Sequence, residues 1–434
     1  MDNLQKQTIL SVALIHKCIT FSVVVSQSFP QFEHALLLLL QKLYIIYIKD
    51  VQEALMKFTI TRSTFLKTLN DVSRAISTKT TIPILTGLKI VLNDSGLILT
   101  GSDADISIES RINATDENND LQIGSTGEIV LPARFFSEIV KRLPESTMTL
   151  EVKDNFQTVI TSGASEFTIN GLDANNYPRL PEITADAALS VSADVLRQLI
   201  NQTVIAVSNQ ESRPILTGVH LTITGDQLVA VATDSHRLAQ RSLTLPTASA
   251  SDYDIIIPGK SLTELSRMLS DDVEKIEIRI AENQVLFVFG QTAFYSRLLE
   301  GNYPDTSRLI PTSSNTQAEF DAPALLASIQ RASLLSHESS NNVVRLVLNI
   351  ADQKATIYGN SPDVGNVEEV LSFNKLSGED LEISFNPDYM KDALQGFGQT
   401  AIEVDFTAPL RPFTLVPTED KERFIQLITP VRTF

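Results

Sequence analysis

Pro83-Ile84-Leu85-Thr86-Gly87 recurs as Pro214-Ile215-Leu216-Thr217-Gly218, 131 residues further along the chain. Two other segments repeat in the same order, each at a spacing of 126: Ile129-Val130-Leu131-Pro132 returns as Ile256-Ile257-Pro258, and Asn176-Tyr177-Pro178 as Asn302-Tyr303-Pro304. Three separate signals at nearly one offset mark an internal duplication. A third, more diverged copy follows, where Phe385-Asn386-Pro387 opens a helix 129 residues after Pro258. The copies are expected at 56–182, 183–310 and 311–434, joined through Leu180-Pro181-Glu182 and Pro311-Thr312-Ser313-Ser314-Asn315, whose Pro, Ser and Asn content is that of linkers. This period is far longer than that of a solenoid, so each copy is expected to be a domain with its own core. A chain of 434 residues has the length for about three such domains.

Within each copy the pattern reads helix, strands, helix, strands. Phe65, Leu69, Val72 and Ile76 recur every three or four residues, the stripe of an amphipathic helix, and Phe135, Ile139 and Leu143 repeat it. Alternating runs such as Asp105-Ile106-Ser107-Ile108-Glu109 and Ile276-Glu277-Ile278-Arg279-Ile280 predict half-buried strands. Pro132, Pro258 and Pro387 sit where a strand yields to a helix, and the first helical position is where proline's missing N–H costs nothing. The class is α+β, with two helices packed on antiparallel sheet in each copy.

A formal net charge of -17 argues against attraction of the whole surface to nucleic-acid phosphates, so any such contact is local. The positive charge falls on the helices. Lys67 and Arg74, Arg134 and Lys141, and Lys260 and Arg267 are each seven apart, close to two turns, so each pair shares a face; Arg197 adds to the set. Cations on an exposed helix face are ordinary, and the neighbouring Asp71, Glu138 and Glu264 dilute them. Cys18 is the one cysteine, which excludes an intrachain disulfide or a thiolate metal cluster and fits a reducing cytoplasm. Residues 1–55 form an N-terminal extension of apolar patches broken by His16, Lys17, Gln41 and Lys42, and are expected to be non-native or disordered. No patch there reaches the roughly 18 uninterrupted apolar residues of a membrane span, and a signal peptide lacks its basic start and small-residue cleavage site.

Thr233-Asp234-Ser235-His236-Arg237-Leu238 holds Asp, Ser and His together, and a hydrolase using Asp234 and His236 is one alternative. Contiguity weighs against it, because catalytic triads are normally assembled from separated parts of a chain. The run reads better as a turn leaving the strand Leu228 to Ala232. His220, His236 and His337 are scattered with no ligand spacing, and neither phosphate-binding glycine pattern occurs, so no catalytic residue, metal or cofactor is assigned.

From Met56 onward the chain resembles the β-subunit family of bacterial DNA polymerase III, the sliding clamps, and its Gram-positive members in particular. Met56-Lys57-Phe58-Thr59-Ile60, Ala232-Thr233-Asp234-Ser235-His236-Arg237-Leu238, Gly301-Asn302-Tyr303-Pro304-Asp305 and Thr429-Pro430-Val431-Arg432 carry the resemblance. It implies three repeated clamp domains forming half of a closed ring, a homodimer around duplex DNA with no reaction of its own. At the interface between copies it implies Phe167 and Ile169 against Leu334 and Leu335. A pocket for short motifs is implied at Leu216, Thr233, His236, Arg237, Leu238, Pro304, Arg308, Leu309, Leu410, Pro412, Ile428, Pro430 and Val431. The replicative polymerase catalytic subunit, the clamp loader and repair polymerases are the implied partners there. Lys79, Gln210 and Arg213 match DNA-touching loop positions, and Phe434 extends past the usual end beside the pocket. A structural scaffold without a nucleic-acid role, held at a membrane through residues 1–55, is the competing reading.

Overall fold

The computed structural model describes residues 54–180, 183, 188–338 and 342–432, and among these described residues the apolar periods become six α-helices and a set of antiparallel strands. Helices α1 (Arg62–Ser73), α2 (Ala133–Arg142), α3 (Ala193–Thr203), α4 (Gly259–Met268), α5 (Ala322–Ser336) and α6 (Pro387–Phe397) fall two to each copy. Helix α1 buries Phe65, Leu69 and Val72, the expected stripe, and ends at Ser73, leaving Ile76 beyond it. Helix α2 corrects the expectation. Phe135 is 67% exposed, and the interior is taken by Ala133, Phe136, Ser137 and Val140, with Leu143 buried just past the helix end. With two adjacent phenylalanines, a 3.6-residue count runs as well from either; the strand Gly127–Pro132 decides between them by delivering Ala133 facing inward. Pro132 and Pro258 are the capping residues rather than the first helical ones, and Pro387 alone of the three lies in the first turn, behind an Asn386 cap that accepts from the Asp388 N–H.

Four antiparallel sheets back the helices. Strands do not stop at the copy boundaries. Ile106–Asn113 of the first copy pairs with Thr292–Arg297 of the second, and Arg237–Thr244 of the second with Phe424–Ile428 of the third. Eight- and nine-stranded sheets result, while a five-stranded sheet in the first copy ends on Ser165–Asn170 and a four-stranded sheet in the third ends on Gly365–Leu371. The third copy has its own core, but apolar packing is continuous through the first two, a departure from one core per copy. Ile108 opposite Phe294, both fully buried, carries that packing across the boundary.

The helices stand in single file: α2 packs on α1, Arg74 of α1 reaches Glu264 of α4 at 3.3 Å, and α4, α3, α6 and α5 follow in contact. Close seating on the sheets needs glycine, since a Cβ at Gly101 would lie 2.6 Å from the Val72 carbonyl oxygen and one at Gly359 2.4 Å from that of Ala332. Of the N-terminal extension, Ala54 and Leu55 are tied to the sheet through Ser125 and Val152; the rest of it and Phe434 lie outside the described residues. Because Phe136 is fully buried, Phe136→Ala is expected to cost about 3–5 kcal/mol of unfolding free energy in urea titrations. A loss below about 1 kcal/mol would return the inward face of α2 to Phe135.

Candidate functional site

The turn between Gln227–Thr233 and Arg237–Thr244 is built from its own side chains. Asp234 Oδ1 accepts from the N–H groups of His236 and Arg237 at 2.9 and 3.0 Å, which lets Ser235 hold a positive φ of 81°. Asp234 Oδ2 accepts from Arg237 Nε at 3.1 Å. Both carboxylate oxygens are thus committed to shaping the turn, and the His236 ring stacks on Tyr389, 6.2 Å between centroids. A general base needs a carboxylate free to orient its imidazole, so this geometry does not form the hydrolase of the alternative reading.

Arg237 fastens the turn to the third copy. Its Nη1 donates to Asp392 at 2.6 Å and its guanidinium lies 4.7 Å from the Tyr389 ring centre, both residues on α6. The ladder from Arg237 to Ile428 continues as Thr429 N–H donates to the His236 carbonyl, and Val431 N–H to that of Ser384. Tyr303 closes the other side by accepting from Thr233 N–H at 3.0 Å while stacking on His220. Burial pushes the Tyr303 hydroxyl up to about 12, so it stays protonated at neutral pH.

Of the implied pocket residues, Thr233 pairs with Leu238 and Arg237 with Ile428 at this junction. Thr233, Leu216, Leu238 and Ile428 are buried. Leu309 and Leu410 are half exposed or more, Pro304 and Arg308 are exposed, and Pro412, Pro430 and Val431 are partly covered. Tyr303, Tyr389 and Asp392 were not singled out from sequence. Tyr303 sits in the repeated Asn-Tyr-Pro signal and was within reach; Tyr389 and Asp392 lie on a helix of the diverged copy, where no repeat marks them.

The helix cations are largely answered by acids. Arg74 and Arg267 share Glu264, Arg197 meets Asp194 and Asp271, Lys260 meets Asp103 at 2.8 Å, and Lys141 meets Glu138. Lys67 is 4.0 Å from Asp272, and Arg134 is exposed. Lys79 is exposed on the loop after α1; Arg213 is held by Ser235 Oγ at 2.9 Å and by Gln210. Of the implied interface residues, Leu334 is 68% and Phe167 38% exposed, with Ile169 and Leu335 partly covered. Phe167 and Ile169 lie on the open edge Ser165–Asn170, and Leu334 and Leu335 on α5, distant in the fold but on the two ends of the chain of copies.

The N-terminal, central and C-terminal domains of the DNA polymerase III beta subunit match residues 56–181, 190–305 and 307–432. A beta sliding clamp of Bacillus subtilis (strain 168) is 49% identical over 380 residues, covering 87% of this chain and 100% of that protein. Solved structures of a DNA polymerase III beta chain from Streptococcus pneumoniae and a DNA polymerase sliding clamp from Bacillus subtilis both superpose with a TM-score of 0.84, at 45% and 48% identity; each comparison covers 87% of this chain and 100% of the other.

Tyr303→Phe removes the acceptor for a buried N–H and is expected to cost about 1–3 kcal/mol. The raised hydroxyl also sets a pH signature. Its contribution is full below pH 10, the ordinary tyrosine value, and is lost as pH climbs toward about 12. Alkaline urea titrations should therefore show the native chain losing stability over that interval and the Phe variant losing less; parallel curves would contradict the assignment.

Proposed function

The chain belongs to the DNA polymerase III beta-subunit family, the sliding clamps, and on that premise we propose that two copies join head to tail into a closed ring around duplex DNA. As a clamp it is an accessory subunit without catalysis of its own. The observation that carries the ring is the pair of open edges. Each internal joint pairs the fourth strand of one copy with the last strand of the next, and the last strand of the first copy, Ser165–Asn170, and the fourth of the third, Gly365–Leu371, are sheet ends that make no such joint within the chain. A second copy satisfies both at once, and the heterologous contact stays finite because the ring closes. Exposed Leu334 and Phe167 would then be covered.

The three copies, 56–182, 183–310 and 311–434, serve as three clamp domains, and the single file of helices lines the hole. Lys67, Arg74, Arg134, Lys141, Arg197, Lys260 and Arg267 face the phosphates there, with Lys79, Gln210 and Arg213 on loops. Acids beside most of these cations hold the attraction down, which suits a ring that must slide; topology, not grip, retains it on the duplex. Lys and Arg meet phosphate without reading sequence.

The groove around Arg237 receives short motifs of the replicative polymerase, the clamp loader and repair polymerases. Leu309 and Leu410 anchor apolar side chains, and a preformed pocket with a few anchors suits exchange among partners. No cofactor is invoked. The cytoplasm is the proposed place of action, and among the described residues no helix is long and apolar enough to cross a membrane.

Two outcomes test this. Once loaded by a clamp loader, the protein should remain on nicked circular DNA and leave linear DNA of equal length by its ends; equal loss from both at matched salt would contradict encirclement. Leu410→Ala should weaken binding of a polymerase-derived motif peptide about tenfold by calorimetry, as for an interface anchor, with the dimer intact.

A further inference from the structure

The joint between copies can be written residue by residue, because the three copies share one register. Three residues before the cap of the first helix of each copy stand Phe58, Leu189 and Ala318. From these, ladder partners run Phe58–Leu150–Ile160–Phe167, Leu189–Ile278–Phe287–Phe294 and Ala318–Val404–Leu415–Gln426. One residue before the cap of the second helix stand Leu131, Ile257 and Phe385. Their rows run through Leu88 and, one step beyond the paired Lys89 and Thr100, Gly101 to Ile108; through Val219 and, one step beyond the paired His220 and Val231, Ala232 to Ala239; and through Val344 and Gly359 to Val367. Gly101 and Gly359 are the two glycines seated on helix carbonyls, which anchors the first and third of these rows to each other.

At the internal joints the row ends meet directly: Phe294 faces Ile108 and Gln426 faces Ala239. The remaining ends are Phe167 and Val367. One step along, the internal joints place Ala293 opposite Glu109 and Ile425 opposite Gln240. The same step from Phe167 and Val367 reaches Glu166 and Glu368, both exposed.

Resting on the ring reading, we infer that Glu166 stands directly opposite Glu368 of the partner subunit, and that Phe135 packs on the partner's Val364 beside it. Like charges directly opposite on an antiparallel pair weaken it. Neither edge strand carries a cation, Ser165–Asn170 holding Glu166 and Gly365–Leu371 holding Glu368 and Glu369. Glu369 is turned to the helix side, bound to Arg331 and Ser328, so Glu368 points to the other face with Glu166. The internal joints carry opposite charges instead: Arg237 with Asp392, Lys260 with Asp103, Arg241 with Asp420.

Phe135 takes the third place after the cap of α2, the place Tyr389 holds in α6, where it packs on His236 and Arg237 across the second joint. The shared register carries His236 to Val364, which is 61% exposed, as Phe135 is 67%. The joint that must open for DNA entry is thus apolar beside a repulsive pair, and the permanent joints are ion-paired.

A charge-swap cycle on the full-length chain, read as the dimer dissociation constant by sedimentation equilibrium, tests this. Glu166→Lys and Glu368→Lys should each tighten the dimer about fivefold per joint, and the double variant should lose that gain because like charges again face each other. General relief of the acidic net charge would instead make the double variant tighter than either single; that result overturns the register. Phe135→Ala should loosen the dimer about tenfold, and no change would remove the α2 contact. A native chain that stays monomeric throughout would overturn the ring reading itself, whereas failure of the register leaves a native dimer in place. Both glutamates and Phe135 are exposed, so unchanged urea midpoints at concentrations where each variant is monomeric check that folding is intact.

Discussion

A strand at the edge of a sheet leaves a row of N–H and C=O groups that must find partners, and in this molecule that requirement organises everything larger than one copy. Ile106–Asn113 and Arg237–Thr244 each meet the last strand of the following copy, so three similar units become one continuous body. The helices follow as a consequence, because each joint brings a helix of one copy alongside a helix of the next. Of the strands equivalent to those that form the internal joints, Ser165–Asn170 and Gly365–Leu371 alone make no joint within the described residues. In the proposed ring these two strands pair as their counterparts do at the internal joints.

The joints differ in chemistry as their duties differ. The permanent ones combine buried rows such as Ile108 against Phe294 with ion pairs at the rim, Arg237 with Asp392 and Lys260 with Asp103. At the second joint the same Arg237 holds the turn to Asp392 and Tyr389, so in the proposed reading the element that fixes the third copy to the second also presents the surface for visiting segments. In the proposed ring, the pairing of Arg197, Lys260 and Arg267 with acids would keep phosphate attraction weak enough for movement along DNA.

Much of the architecture was legible because repetition is independent of local ambiguity. Recurring Pro-Ile-Leu-Thr-Gly and Asn-Tyr-Pro segments located two copies, and alternation located strands. The inward face of α2 was misread because Phe135 and Phe136 are adjacent and periodicity alone cannot choose; the preceding strand does. Likewise Pro132 and Pro258 mark helix entry without telling cap from first turn. The turn at Asp234 was readable as a turn, but its attachment to Asp392 and Tyr389 depends on a contact between positions 155 residues apart in sequence for Arg237 and Asp392, which spacing does not encode. The pocket and interface residues rested on resemblance rather than on pattern: Leu216, Leu238 and Ile428 read as ordinary core, and they are buried.

Closure through the two open edges is tested most directly by amide hydrogen exchange across a dilution series. The backbone N–H groups of Ser165–Asn170 and Gly365–Leu371 should be protected at concentrations where the dimer forms and should lose protection together on dilution, while those of Ile106–Asn113 and Arg237–Thr244 stay protected throughout. Fast exchange at both open edges in a sample that sediments as a dimer would show that the copies associate by some other surface, and the ring as described would be wrong.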